Sequence, residues 1–208
     1  MKNLMITLAV LIGMNAYAQN TYPQAMKTAL MKWKTVENQT EVKSLANEFQ
    51  DIADAYPDEW LPLYYKILFQ TTQAFHYSNE EALALVPTLE KEWQILQKKT
   101  GNTEVEILQG LILTLKVKTN PQVYGAELYG KIPTIYQAVL AEEPNNPRAV
   151  YLLAEYQMFQ APYIDEKPQK YCSDLEKSIS LFSKEKAKGF EPSWGLERAK
   201  ITQTQFCK

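Results

Sequence analysis

The sequence predicts an all-α domain of about nine helices packed as antiparallel neighbours. Three observations carry that expectation. Apolar residues recur at three- and four-residue steps along almost the whole chain, the period of a helix with one buried face. Helix start and stop residues recur between these stretches. Glycine is scarce, at 7 of 208 residues, which disfavours a turn-rich β fold and any glycine-rich phosphate loop.

The first expected helix carries Met26, Ala29, Leu30, Trp33 and Val36 and opens near Pro23, a residue whose fixed φ suits a first turn. Val42, Leu45, Ala46, Phe49, Ile52 and Ala53 form the stripe of a second, with Thr40 as N-cap and Tyr56-Pro57 as its end. A third runs from about Trp60 to Phe75, with Pro62 tolerated in its first turn. Ser78-x-x-Glu81 is a capping box opening the fourth. Pro87 is expected to kink that helix or delay its start. Thr103-x-x-Glu106 reads as a second capping box, opening a fifth helix with Ile107, Leu108, Leu111, Ile112 and Leu115. Residues 119–126 read as a loop around Asn120-Pro121 and Gly125, and residues 127–142 as a sixth helix. Pro147 starts a seventh, broken by a loop at 161–170. The eighth spans about 171–188, stopped by Gly189, and the ninth about 193–206. No strand is expected. The connections are mostly short, so successive helices should run antiparallel.

Residues 1–18 have the composition of an export signal. Lys2 supplies the positive start, Leu4 to Met14 the apolar run, and Ala16-Tyr17-Ala18 the cleavage site. A run of about eleven residues is too short to span a bilayer, which weighs against the rival reading of an uncleaved anchor. Cutting after Ala18 leaves residues 19–208 as one helical repeat domain, exported to the periplasm or secreted. No cysteine follows the cut directly, so no lipid anchor is expected, and no later segment is long and apolar enough for a span. Outside the cytosol an even cysteine count favours a disulfide. Cys172 and Cys207 lie at the same end of the last expected helix pair, 35 positions apart. A bridge closing such a loop contributes about 3–4 kcal/mol. The alternative is two unpaired thiols.

Lys and Arg total 22 against 24 Asp and Glu, with no basic stripe, so nucleic acid is not an expected partner. His76 is the only histidine and two cysteines lack ligand spacing, so neither a metal site nor a cofactor is expected. The carboxylates at Glu80-Glu81, Glu90/Glu92 and Glu142-Glu143 fall at helix starts, polar faces and turns, where charge serves solubility and helix dipoles. Phosphate-loop, HExxH and CxxC patterns are absent.

Placing Pro57 over Pro144 aligns residues 56–65 with 143–152 without a gap, and Phe49 and Tyr136 each fall eight residues before their proline. That is the spacing of a tetratricopeptide repeat, in degenerate form. Ala25 to Trp33, Pro57-Asp58-Glu59-Trp60-Leu61-Pro62 with Tyr64-Tyr65, Asn120-Pro121 with Gly125, Pro144 to Ala149, Pro192-x-Trp194-Gly195-x-Glu197 and Cys207 follow in an order covering nearly the whole chain beyond residue 18. In this the chain resembles a group of exported tetratricopeptide-like proteins common in Bacteroidota. It departs from that group at Ile164-Asp165-Glu166-Lys167-Pro168, where such proteins often carry a Gly-Gly loop. The resemblance implies an architecture and a compartment.

The 13 tyrosines are the main functional lead. In a helix-pair solenoid the first helix of each pair lines the inner groove. The alignment puts Tyr64 and Tyr151 at equivalent groove positions, with Arg148 and Glu155 a turn from Tyr151. Tyrosine offers contact area with a hydroxyl for orientation. The expectation is a non-enzymatic module that holds a protein or peptide segment, or an envelope component, through Tyr64, Arg148, Tyr151 and Glu155. Half-buried packing rings are the plainer account of the same residues. A small envelope hydrolase acting on glycan or peptide, using convergent carboxylates or His76, is the alternative function, and a purely structural helical protein a third. The sequence does not identify the partner.

Overall fold

The computed structural model describes residues 21–207. The expected signal and its cleavage site lie outside the described residues. Ten α-helices follow in order: α1 Tyr22–Trp33, α2 Gln39–Ala55, α3 Leu61–Ala74, α4 Asn79–Lys99, α5 Thr103–Thr119, α6 Pro121–Leu128, α7 Lys131–Glu142, α8 Pro147–Gln160, α9 Cys172–Phe182 and α10 Leu196–Phe206. Two 3₁₀ turns, Ala161–Ile164 and Pro168–Tyr171, join α8 to α9. No strand occurs among the described residues, and each helix packs against its neighbours in sequence.

Local chemistry explains most boundaries. Ser78 and Glu81 close the expected capping box: the Glu81 carboxylate accepts from Ser78 N at 3.1 Å and the Ser78 hydroxyl from Glu81 N at 3.3 Å. Several expectations are corrected. Asn38 caps α2 in place of Thr40, accepting from Glu41 N at 3.0 Å. Asn102 caps α5, accepting from Glu104 N at 2.9 Å, while Thr103 instead donates to Glu143 at 2.6 Å. An asparagine before the first turn satisfies orphan amides more directly than a threonine within it. The loop expected at 119–126 is a helix, because Asn120 accepts from Val123 N and Pro121 fits the first position. The helix expected over 127–142 therefore divides at Tyr129-Gly130 into α6 and α7. Pro87 lies inside a continuous α4. Helix α9 ends at Phe182, six residues earlier than expected, and an irregular segment leads to Gly195. Gly195 has φ +113°, and a Cβ there would come within 2.6 Å of the Phe182 ring, so no other residue fits.

The helices divide into an inner set and an outer set. Every residue from Leu61 to Phe69 of α3 is buried, and α5 and α8 are buried on most of their circumference. A helix that is apolar all round needs cover on all sides. Helices α2, α4, α7 and α9 supply it, each with one buried stripe. Trp93 of α4 donates its indole N–H to the Val105 carbonyl of α5 at 2.8 Å, fixing that pair in register. Gly110 of α5 admits the Tyr136 ring of α7 so closely that any Cβ at 110 would overlap it. The remaining face of α3 and α8 is covered by the C-terminal segment. Tyr65 donates to the Phe190 carbonyl at 2.8 Å, and Trp194 and α10 lie across α3 and α8.

Candidate functional site

The four sequence-selected residues belong to two buried networks, and the expected accessible groove is corrected accordingly. Tyr64 and Tyr151 are 0% and 1% exposed, and Arg148 5%. Arg148 Nε donates to both oxygens of Glu104, at 2.9 and 2.8 Å. Its two terminal nitrogens fork onto Glu185, at 3.1 and 2.7 Å. Asn146 Nδ2 donates to Glu104 Oε1 at 3.0 Å, and Tyr64 donates to Oε2 at 3.3 Å. Trp194 Nε1 donates to the Tyr64 hydroxyl at 2.8 Å. Burial pushes the Glu104 carboxyl above its usual range, against the opposing pull of Arg148, Asn146 and Tyr64. Burial works against the Arg148 charge, but Glu104 and Glu185 outweigh it and hold the guanidinium protonated. Tyr151 and Glu155 join a second network, in which Glu155 Oε1 accepts from Tyr151 at 2.7 Å, Thr202 at 2.9 Å and Arg198 at 3.4 Å.

Both networks fasten the segment from Glu185 to Thr202 onto the inner helices. The reason for the correction is therefore tertiary: in an open solenoid these faces of α3 and α8 would line a groove, but here the chain's own C-terminal part covers them. Fully hydrogen-bonded buried charges specify a unique packing more than they offer a surface for binding. Sequence reasoning missed Glu104, Asn146, Glu185 and Trp194 in this role. Glu104 carried no local signal, since a carboxylate in a helix's first turn is ordinary.

The disulfide Cys172–Cys207 is present, with Cα atoms 5.8 Å apart. It joins the start of α9 to the end of α10, at the end of the molecule opposite the Arg148 network. His76 is exposed in the turn after α3. No group of three or more His, Cys, Asp or Glu side chains placed to hold a metal ion occurs among the described residues. No helix among them is long and apolar enough to cross a membrane.

Several large apolar side chains are exposed toward the disulfide end. Tyr163 is 83% exposed, and Phe159, Ile164 and Tyr129 are between 40% and 47% exposed. Phe159 meets Phe206 edge to face, with ring centroids 5.3 Å apart. Tyr171 donates to Glu166 at 2.6 Å, and Lys170, paired with Glu166 at 2.7 Å, sits over the Tyr171 ring. Tyr129 lies within electrostatic reach of both Tyr156 and Tyr171. Large exposed rings gathered at one end are unusual on a surface with no partner. Sequence reading passed over them because an isolated tyrosine in a loop has no periodicity to mark it. Two open clefts are also present. One, of about 450 Å³, runs between α5 and α7 beside Glu106, Lys131 and Ile135. The other, of about 480 Å³, lies over the Arg148 network beside Glu143, Asn145 and Lys184.

No family model matches this sequence, and no curated protein matches it. Among solved structures, the HusA haemophore from Porphyromonas gingivalis aligns over 89% of this chain and 92% of its own, with a TM-score of 0.78 and 22% identity. At that identity the likeness is one of fold.

Proposed function

We propose that this chain is an exported binding protein for haem or a related porphyrin, which it holds without acting on it chemically. The observation that carries this reading is the fold shared with a haemophore across nine-tenths of both chains. The aromatic end supports it, because exposed rings of Tyr163, Phe159 and Tyr129 suit a flat apolar macrocycle. The disulfide fits an oxidising compartment outside the cytosol, as the signal-like residues 1–18 also do. Sequential packing of the helices supports a tetratricopeptide-like stack as the scaffold. The peptide-holding reading drew its contacts from Tyr64, Arg148 and Tyr151. With those side chains buried, a ligand must use another surface.

The test is titration of the purified protein with hemin, and separately with iron-free protoporphyrin IX, followed by the Soret band and by quenching of the four tryptophans. Ring-face binding predicts saturable one-to-one association with both compounds. At about a hundredfold excess over Kd, ligand should stabilise the fold by roughly 2.7 kcal/mol. Linear, unsaturable absorbance changes with no thermal shift would refute the proposal.

A further inference from the structure

Four buried side-chain atoms lack a hydrogen-bond partner among the described residues: the hydroxyls of Tyr22 and Tyr156, Gln70 Oε1 and Glu92 Oε2. The Lys66 ammonium donates to Gln50 at 2.9 Å and pairs with Glu92 at 2.6 Å, and Gln70 lies one turn along α3 from Lys66. The spare Glu92 oxygen is an acceptor in a site already neutralised, and the Gln70 oxygen is likewise an acceptor and not a donor. The Tyr22 hydroxyl has Glu59 beside it, at the far end of the molecule from the disulfide. Tyr156 is different. It is 5% exposed, on the α8 turn before Phe159, and its surroundings are other phenols. One is buried Tyr136 and another half-exposed Tyr129. A buried hydroxyl left without an acceptor costs about 1–3 kcal/mol, and such groups in a folded protein call for an explanation.

Resting on the porphyrin-binding reading above, we infer that Tyr156 is the donor for a carboxylate on the edge of the bound ligand. Tyr156 stands one helical turn before Phe159 on α8, at the end where Phe159, Tyr163 and Ile164 are exposed, so a ring lying on those residues has its carboxylated rim within about a turn of this hydroxyl. Tyr129 occupies the junction between α6 and α7. Burial, with Tyr129 beside it, pushes the Tyr156 phenol up to about 12. At neutral pH it therefore keeps its proton and donates. A phenol-to-carboxylate hydrogen bond in a partly desolvated site is of the strong, charge-assisted kind.

The experiment compares protoporphyrin IX with its dimethyl ester, in which both carboxylates are blocked, on the wild-type protein and on Tyr156→Phe. Tyr22→Phe, which removes a buried tyrosine hydroxyl at the opposite end, serves as the control. The wild type should bind the diacid at least about tenfold more tightly than the ester. Tyr156→Phe should lose about tenfold for the diacid and nothing for the ester, while melting at the same or a higher temperature. Tyr22→Phe should bind both compounds as the wild type does. Equal wild-type affinity for diacid and ester, or a Tyr156→Phe protein that keeps full preference for the diacid, overturns this inference and leaves the porphyrin reading intact. Binding of neither compound by the wild type overturns both.

Discussion

Replacing Arg148 with methionine tests whether the buried network holds the C-terminal segment in place. The wild-type guanidinium satisfies Glu104 through Nε and Glu185 through its two terminal nitrogens, with Nε–Oε2 and Nη2–Oε1 separations of 2.8 and 2.7 Å. The Arg148 side chain is 6% exposed and that of Glu104 8%, while that of Glu185 is 20% exposed. Methionine restores most of the volume but leaves Glu104 as a buried carboxylate without a cation. Breaking such a pair by removing one partner costs about 3–5 kcal/mol. With a urea slope near 2 kcal/mol per molar, the unfolding midpoint should fall by roughly 1.5–2.5 M. Glu185 contributes less to the loss because it can rehydrate. The pH dependence has a defined sign. Burial already raises Glu104 above its ordinary value of 4.5, and loss of Arg148 raises it further. A carboxyl with a raised folded pKa contributes its stability below the unfolded pKa and loses it as pH rises through the folded value. The deficit relative to wild type should therefore be largest at neutral pH and shrink as pH falls toward 4.5. Removing both charges together, as Glu104→Leu with Arg148→Met, should cost far less than Arg148→Met alone. Urea melts followed by circular dichroism at several pH values provide the measurement. A neutral-pH loss under about 1 kcal/mol, or one indifferent to pH, would show that the pair is screened like a surface ion pair and would refute the reasoning.

Two further outcomes are expected. Cys172→Ser with Cys207→Ser opens a loop of 35 residues' separation and should lower stability by about 4 kcal/mol on the chain-entropy account. Thermal melts of the wild type with and without reductant should reproduce that loss, and unchanged melting in both would count against it. Gly110→Ala should destabilise by about 1–3 kcal/mol, because its methyl would overlap the buried Tyr136 ring. A neutral Gly110→Ala variant in urea unfolding would mean that α5 and α7 have slack that this packing does not show.

The sequence by itself determined most of the helices and their order, and it favoured the cysteine pairing over two free thiols. Those are local matters: the stripe Val42, Leu45, Phe49 and Ile52, the Ser78–Glu81 box, and Cys172 and Cys207 at matching ends of one antiparallel pair are all legible within a turn or two of chain. Where a boundary was misplaced, as at Asn38 and Asn102, two good caps stood within two residues and the backbone took the earlier one. Tertiary structure alone decided which faces meet water. Tyr64, Arg148 and Tyr151 have the spacing of groove residues, but Trp194 and Glu185, more than thirty residues further along, return to cover Tyr64 and Arg148, as Arg198 and Thr202 return to the Tyr151–Glu155 pair. Periodicity reports that a side of a helix is apolar or wet in its own turn; it carries no information about a distant segment that comes back to bury a charge. The exposed rings at the disulfide end escaped notice for the converse reason, since Tyr129, Phe159 and Tyr163 become one surface only when α6, α8 and the turn beyond it are brought together.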